Sequence, residues 1–277
     1  MFPVYVILEG LDALPTLPEA VARLTVLLQD DNATAADFEK TVRTDPVITT
    51  NLLRAANSVF SQGIEPTANV RQALARIGLR RVFEVAVGSA VRRMLPARIS
   101  GYGLKSEAFW LHCTATAVYA EALGREFNLP CRDVAFTAGL LHDVGKLVIG
   151  NFLAEVTPEA DWWTFGTADE ERKLLGSNHC DVGKEIAVRW HLPASVADAC
   201  RWHHEPAKMP GDVDSDLIAA VLAADYLAYL GGFSGGSGAG VRCYAYIQDH
   251  LGLTPERCMA LAETYREEVV QMNRLTS

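Results

Sequence analysis

Apolar residues recur along most of this chain at helical spacing, and almost nowhere at the two-residue spacing of a strand. Val21, Leu24 and Leu28 form one stripe behind Pro18, which suits a first helical turn. Thr34 with Asp37 reads as a helix start, and so does Asp45-Pro46, an acidic cap followed by proline. Ile48, Leu52, Ala55 and Ala56 continue the stripe to Asn57-Ser58. Val70, Leu74 and Ile77 run up to Gly78, a C-terminal stop, and Phe83, Val87 and Val91 carry a further helix toward Pro96. No stretch of the first hundred residues alternates long enough to predict a strand.

Ser100-Gly101-Tyr102-Gly103 breaks the pattern. Beyond it, Ser106 is expected to cap a helix bearing Phe109, His112, Thr116, Tyr119 and Leu123. Asp133 is expected to cap another, running Phe136, Leu140, Leu141, Val144 and Leu147. A shorter helix follows His179, and Pro193 opens one that leads to His203-His204. Leu217 to Leu230 is an apolar helix stopped by Gly231-Gly232, and the glycine-serine run 231–240 reads as a flexible loop. A last amphipathic helix begins near Pro255. The prediction is an all-α protein divided at that break: a helical first part at residues 1–100, a second helical part at 101–232, and a loop and terminal helix at 233–277.

Composition narrows this only slightly. An apolar share of 49% over 277 residues supplies a sizeable core, and 21% charged residues is an ordinary globular value. The opening MFPVYVIL is too short to span a bilayer and lacks a basic flank, so a cytoplasmic location without a membrane segment is expected. Six cysteines without a C-x-x-C pair are then expected to be reduced thiols. Cys113 and Cys180 each follow a histidine of interest.

Charge is unevenly distributed. Arg71, Arg76, Arg80, Arg81, Arg92, Arg93 and Arg98 face only Glu84, a local balance of +6 in a chain of net −9. Such a run is either a solvated helix face with intramolecular ion pairs or a docking surface for an acidic partner or a phosphate. The overall acidity argues against nucleic acid, although helix–glycine–helix loosely mimics a DNA-binding unit.

Five of the seven histidines fall in a series with two acids: His112, His142, Asp143, His179, His203, His204 and Asp225. Asp225 shares a helical face with Val221, Leu222 and Tyr229, and Asp143 sits within an apolar run. Burying a carboxylate in such a place costs several kcal/mol unless it is paired or metal-bound. Imidazole with carboxylate suits a divalent transition metal, and iron, manganese, nickel and zinc fit alike. His191 and His250 lie outside the series.

These residues carry a resemblance. H…HD…D, as His112, His142-Asp143 and Asp225, resembles the signature of the HD superfamily of metal-dependent phosphohydrolases. Leu14-Pro-x-Leu-Pro18, Asp45-Pro46, Leu53-Arg-Ala-Ala-Asn57-Ser58 and Ile77-Gly-Leu-Arg-Arg81 resemble the first part of an HDOD domain. So do Phe109-Trp-x-His112, Gly139-Leu-Leu-His-Asp-Val-Gly-Lys146, His179-x-x-Val-Gly183, Trp190-x-Leu-Pro193 and His203-His-Glu-Pro206, in order, from about residue 11 to about 230.

The resemblance implies a helical bundle on an HD-type core, and a bacterial signalling or regulatory module, non-catalytic in many members. It also implies roles. Asp143 would bridge two metals, His112, His142 and Asp225 completing one and His179, His203 and His204 the other. If the protein is active, Asp143 and Lys146 are the catalytic candidates. A water between the ions would lose its proton near neutrality, and Lys146 would orient or neutralise a phosphate. The full donor series is similar to that of HD-GYP relatives, which hydrolyse cyclic di-GMP. However, His203-His204-Glu205 is followed by Pro-Ala-Lys-Met-Pro-Gly and not by their Gly-Tyr-Pro. The expectation is therefore a metal-binding regulatory module, with a phosphohydrolase acting on a phosphodiester or nucleotide as the alternative.

Overall fold

The computed structural model describes residues 16–58, 65–156, 167–235 and 244–276, with Val6, Ile7 and Glu9. The architecture is all-α. No described helix is long and apolar enough to cross a membrane. The described residues form two compact units: 16–94 with 271–276, and 95–270 with Val6, Ile7 and Glu9.

In the 16–94 unit, α1 (Glu19–Gln29), α2 (Ala35–Val42), α3 (Pro46–Ser58) and α4 (Val70–Met94) follow the sequence stripes, except that Pro18 holds the cap position of α1 and not its first turn. Thr34 and Asp37 close a reciprocal capping box on α2, and Asp45 accepts from the amides of Val47 and Ile48 at the start of α3. Gly78 breaks α4 with φ of 79°, a left-handed value that only glycine adopts without strain, so two helices meet there as expected. The arginine run is partly consumed inside this unit. Arg71 pairs with Glu39, Arg81 with Glu84 and Arg93 with Asp45, while Arg76 donates to the Glu65 carbonyl.

The 95–270 unit opens with a feature that periodicity did not predict. Arg98–Ile99 (β1) and Leu104–Lys105 (β2) pair antiparallel, Arg98 opposite Lys105, around the Ser100–Gly103 break. Two residues per strand are too few to leave an alternation signal. The helices α5 (Ser106–Glu126), α6 (Arg132–Leu141), α7 (Lys146–Val156), α8 (Ala168–Leu175), α9 (His179–Arg189), α10 (Ala194–Trp202) and α11 (Ser215–Leu230) follow, then α12 (Tyr244–Leu251), α13 (Pro255–Thr264) and α14 (Arg266–Thr276), whose residues from 271 on belong to the other unit. The final amphipathic stretch is thus two helices, with α12 ahead of them.

Two expected caps are corrected. Ser106 is the first residue of α5, behind Lys105, and its hydroxyl donates to the Pro96 carbonyl. Asp133 lies within the first turn of α6, where Cys131 holds the cap position. The longer correction concerns 136–147, which is not one helix. Residues 142–145 form tight turns, with the Val144 amide on the Leu141 carbonyl and the Lys146 amide on that of Asp143. The helix resumes at Lys146. Every residue from Ala135 to Gly150 is buried, so no polar face interrupts the apolar run to mark the break. In the glycine-serine run, Gly231–Gly235 is ordered against α11 and His112, and the rest lies outside the described residues.

Candidate metal centre

All of the series assembles within the 95–270 unit, presented by the ends or inner faces of four helices and by one turn. His112 projects from the middle of α5 and Asp225 from α11, His142 and Asp143 from the turn between α6 and α7, His179 from the first residue of α9, and His203 and His204 from the end of α10. Close helix approach makes this possible. A methyl group at Gly139 would meet the Thr116 carbonyl oxygen at 2.7 Å, and one at Gly145 would meet that of His179 at 1.9 Å. The glycines therefore let α5 and α9 crowd against the histidine-aspartate turn.

Asp143 is the hub. Its Oδ2 lies 3.5 Å from His112 Nε2, 3.4 Å from His142 Nε2 and 2.5 Å from Lys146 Nζ. Its Oδ1 lies 3.3 Å from His179 Nε2 and 3.7 Å from His203 Nε2. Asp225 Oδ1 lies 3.4 Å from His112 Nε2, and the His112 and His142 Nε2 atoms are 3.3 Å apart. The His204 ring centroid lies 4.0 Å from that of His203, with the two rings tilted by 50°. Ligand atoms of His112, His142 and Asp225 cluster on one side of the carboxylate, and those of His179, His203 and His204 on the other.

The tautomers decide what this arrangement can do. His142 Nδ1 donates to the Gly139 carbonyl at 2.7 Å, His112 Nδ1 to the Phe233 carbonyl at 3.1 Å, and His203 Nδ1 to the Cys200 carbonyl at 2.9 Å. His179 Nδ1 donates to Glu171 at 2.7 Å. A nitrogen bonded to a carbonyl oxygen carries the proton, so in the neutral ring the opposite Nε2 offers a lone pair. Four such lone pairs point at carboxylate oxygens or at each other. Asp143 Oδ1, Asp225 Oδ2 and His179 Nε2 are buried without a hydrogen-bond partner. Facing acceptors in a dry interior repel unless cations lie between them, and outward N–H bonds to carbonyls or carboxylates are how metal-ligating histidines are oriented. The residues fit divalent ions.

Charge supports the same conclusion. Asp143, Asp225 and Glu171 are 2% exposed or less, and Lys146 is the ammonium among them. With neutral imidazoles the cluster keeps two negative charges. Burial pushes Asp143 up, but the Lys146 ammonium beside it counters this and helps hold the carboxyl well below the usual range. Burial likewise lowers His203, and it lowers His204 strongly with help from His203 and His179, keeping both rings neutral.

Lys146 is 1% exposed, with its ammonium on Asp143 and over the Tyr102 ring, so it is not a solvated surface lysine. Sequence reasoning missed Glu171. It accepts from the His179 backbone amide, His179 Nδ1 and the Tyr102 hydroxyl, which binds at 2.8 Å. Burial raises Glu171, but His179 outweighs that and lowers it. Its helix, Ala-Asp-Glu-Glu-Arg-Lys-Leu-Leu, reads as solvated, and nothing in the pattern separates Glu171 from Glu170 beside it. Asn178, which closes a capping box with Asp181 and so aims the first turn of α9, was also unremarked.

The HDOD domain family matches residues 14–206. The crystal structure of an HDOD domain protein of unknown function from Geobacter sulfurreducens superposes with a TM-score of 0.75, at 21% identity, over 98% of this chain and 96% of that one. That of a candidate phosphohydrolase from Shewanella amazonensis gives 0.73 at 21% identity, over 98% of both. An uncharacterized protein of Treponema pallidum is 21% identical over 224 residues, 79% of this chain. The chain spans less than half the length of the curated relatives it matches, 43% in that case.

Proposed function

The chain belongs to the HDOD family, and from that premise we propose that it is a cytoplasmic signal-transduction module whose HD core is braced by divalent metal and performs no hydrolysis. His112, His142, Asp143 and Asp225 would hold one ion, and Asp143, His179, His203 and His204 a second. The observation that carries the metal is the set of four histidines whose Nδ1 protons are bound outward, leaving inward lone pairs on buried carboxylates. When bound, the ions would supply Lewis-acid charge and acidify a nearby water.

The observation against turnover is enclosure. His112, His142, Asp143, Lys146, His179 and His203 are each no more than 1% exposed, and the ammonium expected to meet a phosphate is committed to Asp143. A phosphodiester would have to reach groups that water does not. The complete donor set, and the likeness to the Shewanella protein, favour phosphodiester hydrolysis as the second reading. For the regulatory output, we propose that an acidic protein partner docks on the arginine run, Arg71, Arg76, Arg80, Arg81, Arg92 and Arg93.

The test is elemental analysis of the full chain beside Asp143→Ala, followed by assays of the metal-loaded protein on a generic phosphodiester and on cyclic dinucleotides. Near-stoichiometric metal, lost in the variant, with no hydrolysis is the expected result. Metal-dependent hydrolysis abolished by Asp143→Ala would establish the enzyme instead.

A further inference from the structure

Resting on the metal-centre reading, we infer that Cys180 is a thiolate ligand of the second ion. With Cys180 in place of Asp143, which then serves the first ion alone, that position is a three-histidine, one-cysteine site selective for zinc or another thiophilic divalent metal. Cys180 follows His179 in the first turn of α9, and both are 0% exposed. The reciprocal Asn178–Asp181 cap fixes this turn, so the thiol is presented with the imidazole. Ligand atoms of His179, Cys180, His203 and His204 all lie within 4.8 Å of one another. Cys180 Sγ is 4.0 Å from His203 Nε2, the nitrogen left with a lone pair because Nδ1 donates to main-chain carbonyls.

The spacing suits a shared ion. Metal–sulfur and metal–nitrogen bonds of about 2.3 and about 2.0 Å at a tetrahedral centre separate the two donors by roughly 3.5 Å. The observed separation needs a closure of only a few tenths of an ångström. The other cysteines near the site are placed differently. Cys200 donates its S–H to the Leu141 carbonyl at 3.3 Å, and Cys113 falls in none of the ligand groups. Three imidazoles and a thiolate form a closed donor set of the kind found in structural zinc sites, whereas the opposite side of Asp143 offers only nitrogen and oxygen. The two positions would therefore differ in metal preference. The softer one would have no coordination site left for water, which agrees with a bracing role.

X-ray absorption on the zinc-loaded full chain tests this without a substitution. With both positions filled, a sulfur shell near 2.3 Å at about half a sulfur per zinc is expected. Cobalt loading gives a second readout. A near-ultraviolet sulfur-to-cobalt charge-transfer band should be present in the wild type and in Cys113→Ser, and absent in Cys180→Ser that still binds cobalt. Bound metal with only nitrogen and oxygen neighbours, or a band that survives in Cys180→Ser, would overturn the thiolate while leaving the metal centre standing. Failure of the wild type to bind either metal would overturn the metal-centre reading and the thiolate together.

Discussion

At the scale of single residues, the centre depends on groups that are buried except for the partly exposed His204. Lys146 compensates Asp143 at 2.5 Å, and removing one partner of a buried pair leaves an unpaired charge at a cost of about 3–5 kcal/mol. Lys146→Met should therefore destabilise chelator-treated protein by about that much, and metal-loaded protein by clearly less, because the ions then balance Asp143. Urea unfolding with and without chelator reads the difference. Glu171 holds His179 in the tautomer that presents Nε2, and loss of such an outer partner typically weakens metal binding about 10–100-fold. Glu171→Gln should show that loss in a competition titration while binding the same number of ions. Acid should act through His203, His204 and Glu171. All three have folded pKa values below their unfolded ones, so as pH falls the unfolded chain takes up protons first. The metal-free protein should keep full stability above about pH 6.5. Below that, the two histidines should cost it up to about 2.7 kcal/mol per pH unit, and Glu171 should add to the loss below about pH 4.3. Urea midpoints at pH 8, 6.5 and 5.5 check this; a flat profile would contradict the neutral imidazoles.

At the scale of elements, what the sequence revealed depended on whether local chemistry or burial set the feature. Thr34 with Asp37, Asp45-Pro46 and Gly78 were legible because capping and positive φ are decided within a few residues. The break at His142–Gly145 was not, because with all faces buried the apolar spacing runs on through Val144 and Leu147. Glu171 was invisible for the opposite reason, since a carboxylate buried by its neighbours looks in sequence like one in water. The donors themselves were legible because acids and histidines stand out against apolar stripes, but their enclosure was not. Two substitutions separate capping from crowding. Asn178→Ala removes the α9 cap and should cost about 1 kcal/mol while leaving a folded protein. Gly145→Ala places a carbon 1.9 Å from the His179 carbonyl oxygen, and both the backbone and the turn carrying Asp143 must shift. That variant should bind no metal and lose several times as much stability, measured by thermal unfolding and elemental analysis together.

At the scale of the whole molecule, the donors come from α5, α9, α10, α11 and the α6–α7 turn, and all of them lie in the 95–270 unit. Ions held by them bind the folded state of that unit and stabilise it by mass action. The 16–94 unit contributes no donor. Its own small cluster joins Ala55 and Val85 with Ile77 and Met272, and its ion pairs include Arg23–Glu19, Arg43–Glu39, Arg71–Glu39, Arg81–Glu84 and Arg93–Asp45. Chelation should therefore act unequally along the chain. In hydrogen exchange, the amides of α5, α6 and α9–α11 should lose protection when metal is stripped, because opening of those helices no longer has to release an ion. Amides of α1–α3 should exchange at nearly the same rate in both states. Uniform loss of protection across both units would mean that metal binding is felt by the 16–94 unit as well. The arginine-bearing surface would then be able to report metal occupancy to a partner. Loss confined to residues 95–270 would make the centre a brace, with signalling left to what docks on the arginines.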